Sequence, residues 1–77
     1  MDLANEIKMI RQQAFLTQES FAEELSVSFS TVNRWESGKT QPSMRAMKKI
    51  NEFCHSHKIS FEELQTIWLD QTREVEL

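Results

Sequence analysis

Phe29, Ser30, Asn33, Arg34 and Ser37 fall in one sector of a helical wheel, and Thr31, Val32 and Trp35 fall on the other side. The first set is short-chained and hydrogen-bonding apart from Phe29 and carries no Asp or Glu. It could therefore approach the edges of nucleic-acid bases without electrostatic repulsion. Arg34 can offer two donors to guanine O6 and N7, an arrangement worth roughly 1–3 kcal/mol of discrimination, and Phe29 can meet a thymine methyl group. A merely solvated helix face would more often carry Glu and Lys.

Other chemistries find less support. Cys54, His55 and His57 do not converge as metal ligands on a helix, where ligands at i and i+4 would. Glu23 and Glu24 read as a solvated face, and no nearby His, Ser or Asp arrangement makes a carboxylate catalytic. We therefore expect neither enzyme activity, nor a metal, nor a cofactor. Lys48 and Lys49 read as ordinary solubilising charges.

The elements that position these residues follow from composition. With 77 residues, 39% hydrophobic and 27% charged, and with one Gly and one Pro, the chain suits a single compact all-helical domain over 1–77. No apolar run approaches the ~20 residues that span a bilayer. The opening Met-Asp-Leu-Ala-Asn-Glu lacks the basic and apolar regions of a secretory signal, so a cytoplasmic location is expected. The single cysteine can form no intramolecular disulfide.

The net charge of −3 by itself argues against a nucleic-acid partner. Its distribution softens that objection. Residues 28–58 carry Arg34, Lys39, Arg45, Lys48, Lys49 and Lys58 against Glu36 and Glu52, while acid concentrates in 19–24 and 62–76.

Five helices are predicted, at about 3–14, 18–25, 29–37, 44–57 and 61–70. Leu3, Ile7, Ile10 and Ala14 make one apolar face after a cap at Asp2. Thr17 caps the second helix with a Leu16/Phe21 staple, and Ser28 caps the third with a Val27/Val32 staple. Gly38 stands where a left-handed residue would end the third helix. Pro42 and Ser43 open the fourth, whose apolar set is Met44, Met47, Ile50, Phe53 and Cys54. Ser60 and Glu63 suggest a capping box for the fifth, with an Ile59/Leu64 staple and with Phe61, Leu64, Ile67 and Trp68 at helical spacing. The closing Thr-Arg-Glu-Val-Glu-Leu is expected to fray.

Between Leu25 and the third helix lie only Ser26, Val27 and Ser28, so the second and third helices must cross closely, as in a helix-turn-helix over 18–37. Ala22 is small enough to allow that crossing. Phe21, Leu25, Val27, Val32 and Trp35 supply apolar contacts.

These residues resemble the phage repressor and Cro type of helix-turn-helix, the Xre family. The likeness covers residues 3–64. It runs through Leu16-Thr17-Gln18-Glu19, Phe21-Ala22, Leu25-Ser26-Val27-Ser28, Thr31-Val32-Asn33-Arg34-Trp35-Glu36-Ser37-Gly38-Lys39 and Gln41-Pro42-Ser43. The resemblance implies a lambda-repressor-like five-helix domain whose third helix reads the major groove of double-stranded DNA, usually as a dimer on a near-palindromic operator.

The resemblance also implies roles for individual residues. Phe29, Ser30 and Arg34 match base-reading positions, with Asn33 a further candidate, and Thr17, Gln18, Ser28, Ser37, Lys39 and Thr40 match positions that hold phosphates. Gln18 would also buttress the reading helix, and Arg11 and Glu36 match an internal ion pair. Two departures stand out: Ser26 occupies a turn position where the family most often has Gly, and Phe29 stands where the family is commonly polar. Trp68 and Leu69, with Val75 and Leu77, could complete the core or form a homodimer patch. The function expected is sequence-specific DNA binding by a transcriptional regulator. The alternatives are a protein-interaction or antitoxin-type module on the same fold, or the DNA-targeting domain of a larger protein.

Overall fold

Four short side chains with an acceptor oxygen decide where the first four helices start. In the computed structural model, which describes the backbone of residues 2–76 and the side chains of 2–71, Asp2 accepts from the Asn5 backbone N–H at 2.8 Å and opens α1, Leu3–Gln13. Thr17 accepts from Ser20 at 3.1 Å and opens α2, Gln18–Leu25. Ser28 accepts from Thr31 at 3.2 Å and opens α3, Phe29–Glu36. Ser43 accepts from Ala46 at 3.1 Å and opens α4, Met44–His57. Each such cap replaces a backbone partner that the first turn lacks and is worth about 1 kcal/mol.

The fifth helix, α5, Glu62–Glu76, departs from expectation at both ends. Among the described residues no hydrogen bond joins Ser60 to Glu63, so the predicted capping box is not formed. The helix begins one residue later, with the Phe61 carbonyl accepting from Gln65 N–H at 3.0 Å. Phe61 packs against the core, so tertiary packing rather than a polar cap sets the entry point. At the other end, the helix runs past the expected bound at residue 70 to Glu76, through a stretch with neither Gly nor Pro. The side chains of Val75 and Leu77 lie outside the described residues.

Ala14 and Ser37, expected inside α1 and α3, instead cap them. Among the described residues the backbone turns left-handed at four places: Phe15, Ser26, Lys58 and Gly38 all have positive φ. Gly38 follows α3 as expected. A Cβ there would meet nothing within 4 Å, so the constraint on that site is its φ of +79° and not space.

The core gathers Leu3, Ile7 and Ile10 of α1, Phe21, Ala22 and Leu25 of α2, Val32 and Trp35 of α3, Met47, Ile50, Phe53 and Cys54 of α4, and Leu64 of α5. Phe21 and Phe53 meet edge to face with centroids 5.0 Å apart. One predicted core residue is displaced: Met44 is 72% exposed, and Ala46 is buried in its place. Met44 is the first residue of α4 and lies at the open rim of a groove between α4 and α5. Glu6 is the one charged residue among the described residues that is buried over its whole length, backbone included.

Two long-range bonds clasp α5 to the segment that follows α3. The Trp68 indole donates to the Pro42 carbonyl at 2.8 Å, and Gln41 donates to Gln71 at 2.6 Å. Among the described residues no helix is long and apolar enough to cross a membrane.

Candidate nucleic-acid interface

The turn between α2 and α3 works because Ser26 adopts the left-handed conformation, φ 58° and ψ 42°. Its N–H and that of Val27 bond back to Glu23 and Ala22 carbonyls at 3.1 and 3.0 Å, closing α2. Ser28 then opens α3 at once. Ser26 thus takes the glycine-favouring conformation at some strain.

On α3, Val32 is fully buried and Trp35 is 4% exposed. Phe29, Ser30, Asn33, Arg34 and Ser37 are all exposed, Phe29 by half. The buried pair anchors the helix, and the opposite face is presented outward. The predicted base-reading set is thereby brought together on one surface.

The expected Arg11–Glu36 pair is present and bidentate. Arg11 Nε donates to Glu36 Oε2 at 2.7 Å and Nη2 to Oε1 at 2.9 Å, while Nη1 reaches the Leu16 carbonyl at 2.8 Å. The two side chains are 12% and 4% exposed, so little water competes. The hydrogen bonds to Glu36 raise the guanidinium pKa further above its ordinary value, against the opposing effect of burial. One arginine therefore joins α1, the loop before α2, and the end of α3.

Gln18 lies beside this pair. Its Nε2 donates to Glu36 Oε1 at 3.0 Å, and its Oε1 accepts from Asn33 Nδ2 at 3.2 Å. Its amide is thus directed at α3, which is the buttressing arrangement, and one Nε2 proton stays uncommitted in these bonds. The link to Asn33 escaped the sequence reading, since the meeting of two amides across a helix crossing leaves no periodic signature.

The predicted phosphate-holding residues surround the exposed face. Thr17 and Ser28 spend their oxygens on caps, and the Ser28 hydroxyl also lies 3.2 Å from Ser30 Oγ and 2.8 Å from Thr31 Oγ1. Ser37 Oγ donates to the Arg34 carbonyl at 3.2 Å. Lys39 and Thr40 are exposed, and their N–H groups both point back to the Arg34 carbonyl, at 2.9 and 3.4 Å.

On the far side, His57 Nε2 lies 3.1 Å from Glu24 Oε1 and its ring is tilted against Phe53, a bridge from α4 to α2 that the sequence reading did not foresee. Cys54 is buried, and burial pushes its thiol up to about 11. Among the described residues no group of three or more His, Cys, Asp or Glu could hold a metal ion.

Comparison with known proteins agrees with this geometry. A family model described as helix-turn-helix matches residues 7–65. The HTH-type transcriptional activator BcrR of Enterococcus faecalis is 37% identical over 70 residues, which cover 87% of this chain and 34% of that protein. The chain spans about a third of that relative's length. No solved structure matches. A match across most of the chain, over five helices whose second and third make the close crossing described above, shows that the chain belongs to the Cro/C1-type helix-turn-helix family of DNA-binding domains.

Proposed function

We propose that this chain binds double-stranded DNA sequence-specifically, with α3 in the major groove, as part of a transcriptional regulator. The observation that carries this reading is the division of α3: Val32 and Trp35 are buried, while Phe29, Ser30, Asn33 and Arg34 are exposed together. In this reading Arg34 donates to guanine, Phe29 meets a thymine methyl, and Ser30 and Asn33 offer hydrogen bonds. Thr17, Gln18, Ser28, Ser37, Lys39 and Thr40 line the flanking phosphates, helped by the backbone N–H groups at the start of α2.

Two chains would bind a near-palindromic operator with half-site centres ~34 Å apart. The exposed Met44 and Leu69, which flank the half-buried Trp68 in a groove between α4 and α5, favour that side of the molecule for homodimer contact.

Selection from random-sequence duplexes, followed by titration of the parent and an Arg34→Ala variant, tests the reading. Arg34→Ala should cost roughly 1–3 kcal/mol on the selected site and much less on scrambled DNA. Binding should also weaken steeply with salt as counterions are released. Equal binding of parent and variant to every duplex, or affinity insensitive to salt, would instead favour a protein-interaction module.

A further inference from the structure

A carboxylate can only accept hydrogen bonds, and an amide has one accepting and one donating end. That asymmetry sets the direction of a chain of bonds that begins at Glu36. Both Glu36 oxygens receive Arg11, and Oε1 also receives Gln18, so the end of the Gln18 amide turned toward Glu36 must be its nitrogen. The oxygen of Gln18 is then the end that faces Asn33, and it can only accept. Asn33 must therefore present its nitrogen to Gln18, as it does at 3.2 Å. A free Asn side chain can rotate its amide by half a turn and exchange donor for acceptor. Asn33 in this relay cannot do so without breaking a bond.

Asn33 is exposed on the same face as Arg34, and Gln18 is only partly so. With one Nδ2 proton committed to Gln18, Asn33 keeps its Oδ1 and its second Nδ2 proton for an outside partner, in a fixed order along the face. Adenine offers the matching pair in the major groove, an N7 acceptor beside an N6 donor, whereas guanine offers two acceptors. We propose that Asn33 reads an adenine and that Gln18, held by the Arg11–Glu36 pair, is the positioning residue that fixes the polarity of that reading. The inference rests on α3 being the groove-facing helix, and it names the base read by a residue that sequence alone ranks last among the candidates.

The test compares motifs selected from random duplexes by the parent, Asn33→Ala and Gln18→Ala, with thermal unfolding of each to show that it is folded. The parent should require an adenine at one position of each half-site. Asn33→Ala should lose that preference, and only that one. Gln18→Ala should relax adenine against guanine at the same position. Replacing that adenine with 7-deazaadenine, which lacks the N7 acceptor, should weaken the parent about tenfold and leave Asn33→Ala unchanged.

Different failures are distinguishable. If the parent selects no motif, the groove-reading itself falls, and this inference with it. If Asn33→Ala selects the parental motif, or relaxes a position where the parent prefers another base, the inference falls while sequence-specific binding stands. If Gln18→Ala weakens all sequences equally and keeps the adenine, Gln18 serves phosphate alone and the relay is overturned.

Discussion

Two glutamate side chains in this small domain are largely hidden from water, and their surroundings are opposite. The Glu36 side chain is 4% exposed and receives hydrogen bonds from Arg11 and Gln18 on both oxygens. Glu6, on α1, is 6% exposed, its Oε1 has no partner, and it feels Glu63 of α5. Burial first, and Glu63 second, raise its carboxyl pKa above the ordinary value. Burial alone therefore does not decide what a charge does to a fold; the filling of its acceptor positions does. The side of the domain that carries the candidate interface is fastened by a satisfied charge, and the junction of α1 with α5 tolerates an unsatisfied one.

The largest way to break this contrast is to strip Glu36 of its arginine. Arg11→Met should cost about 3 kcal/mol, because a hidden carboxylate is left without its counter-charge and with only the neutral Gln18 amide as partner. For a domain of this size that lowers the thermal midpoint by roughly 15 °C. A double variant, Arg11→Met with Glu36→Leu, should recover most of that stability. It should not recover base discrimination, since Gln18 would have lost its support. A single-variant cost below ~1 kcal/mol, typical of exposed pairs, would place Glu36 in the same class as any surface carboxylate.

A smaller effect of the opposite sign is expected at the other glutamate. Glu6→Gln should raise stability at neutral pH by on the order of 1 kcal/mol, read from the urea midpoint. The sign follows from the raised pKa. The folded state holds the proton more tightly than the unfolded one, so stability falls as pH rises from 4.5 through the folded value. Below 4.5 both states are protonated and the parent should match the variant. A stability gap that persists unchanged into acid would show that Glu6 acts through packing and not charge.

The smallest effect tests whether the well-satisfied side is also free of backbone strain. Ser26→Gly should stabilise by about 0.5 kcal/mol, since Gly adopts positive φ without a Cβ penalty but loses more chain entropy on folding. Calorimetry that finds a loss would mean that the turn draws more from the Ser26 side chain than its backbone costs.

Much of the fold was legible because its signals are local. Asp2, Thr17, Ser28 and Ser43 cap the helices expected of them, since a cap needs only the next few residues. Ser60 failed as a cap because Phe61 is drawn to the core, a matter of tertiary packing. Met44 matched the apolar period of α4, yet it lies at the open rim of the groove between α4 and α5, where it stays exposed. Glu6 is four residues before Ile10 and three after Leu3, so its place at the edge of the apolar stripe was visible, but polarity argued for solvent. At the candidate interface, the exposed face of α3 and the Arg11–Glu36 pair followed from spacing and from the family pattern. The Gln18–Asn33 bond did not, for it depends on how closely two helices cross.

The clasp between Trp68 and Pro42 has an optical consequence. The chain has two tryptophans and no tyrosine, so its ultraviolet emission arises from Trp35 within the core and Trp68 at the clasp. In a Trp35→Phe background, the emission colour of the remaining indole becomes a gauge of α5 alone. A red shift would register the moment water replaces the Pro42 carbonyl, and adding duplex DNA would reveal whether that helix loosens or tightens on binding.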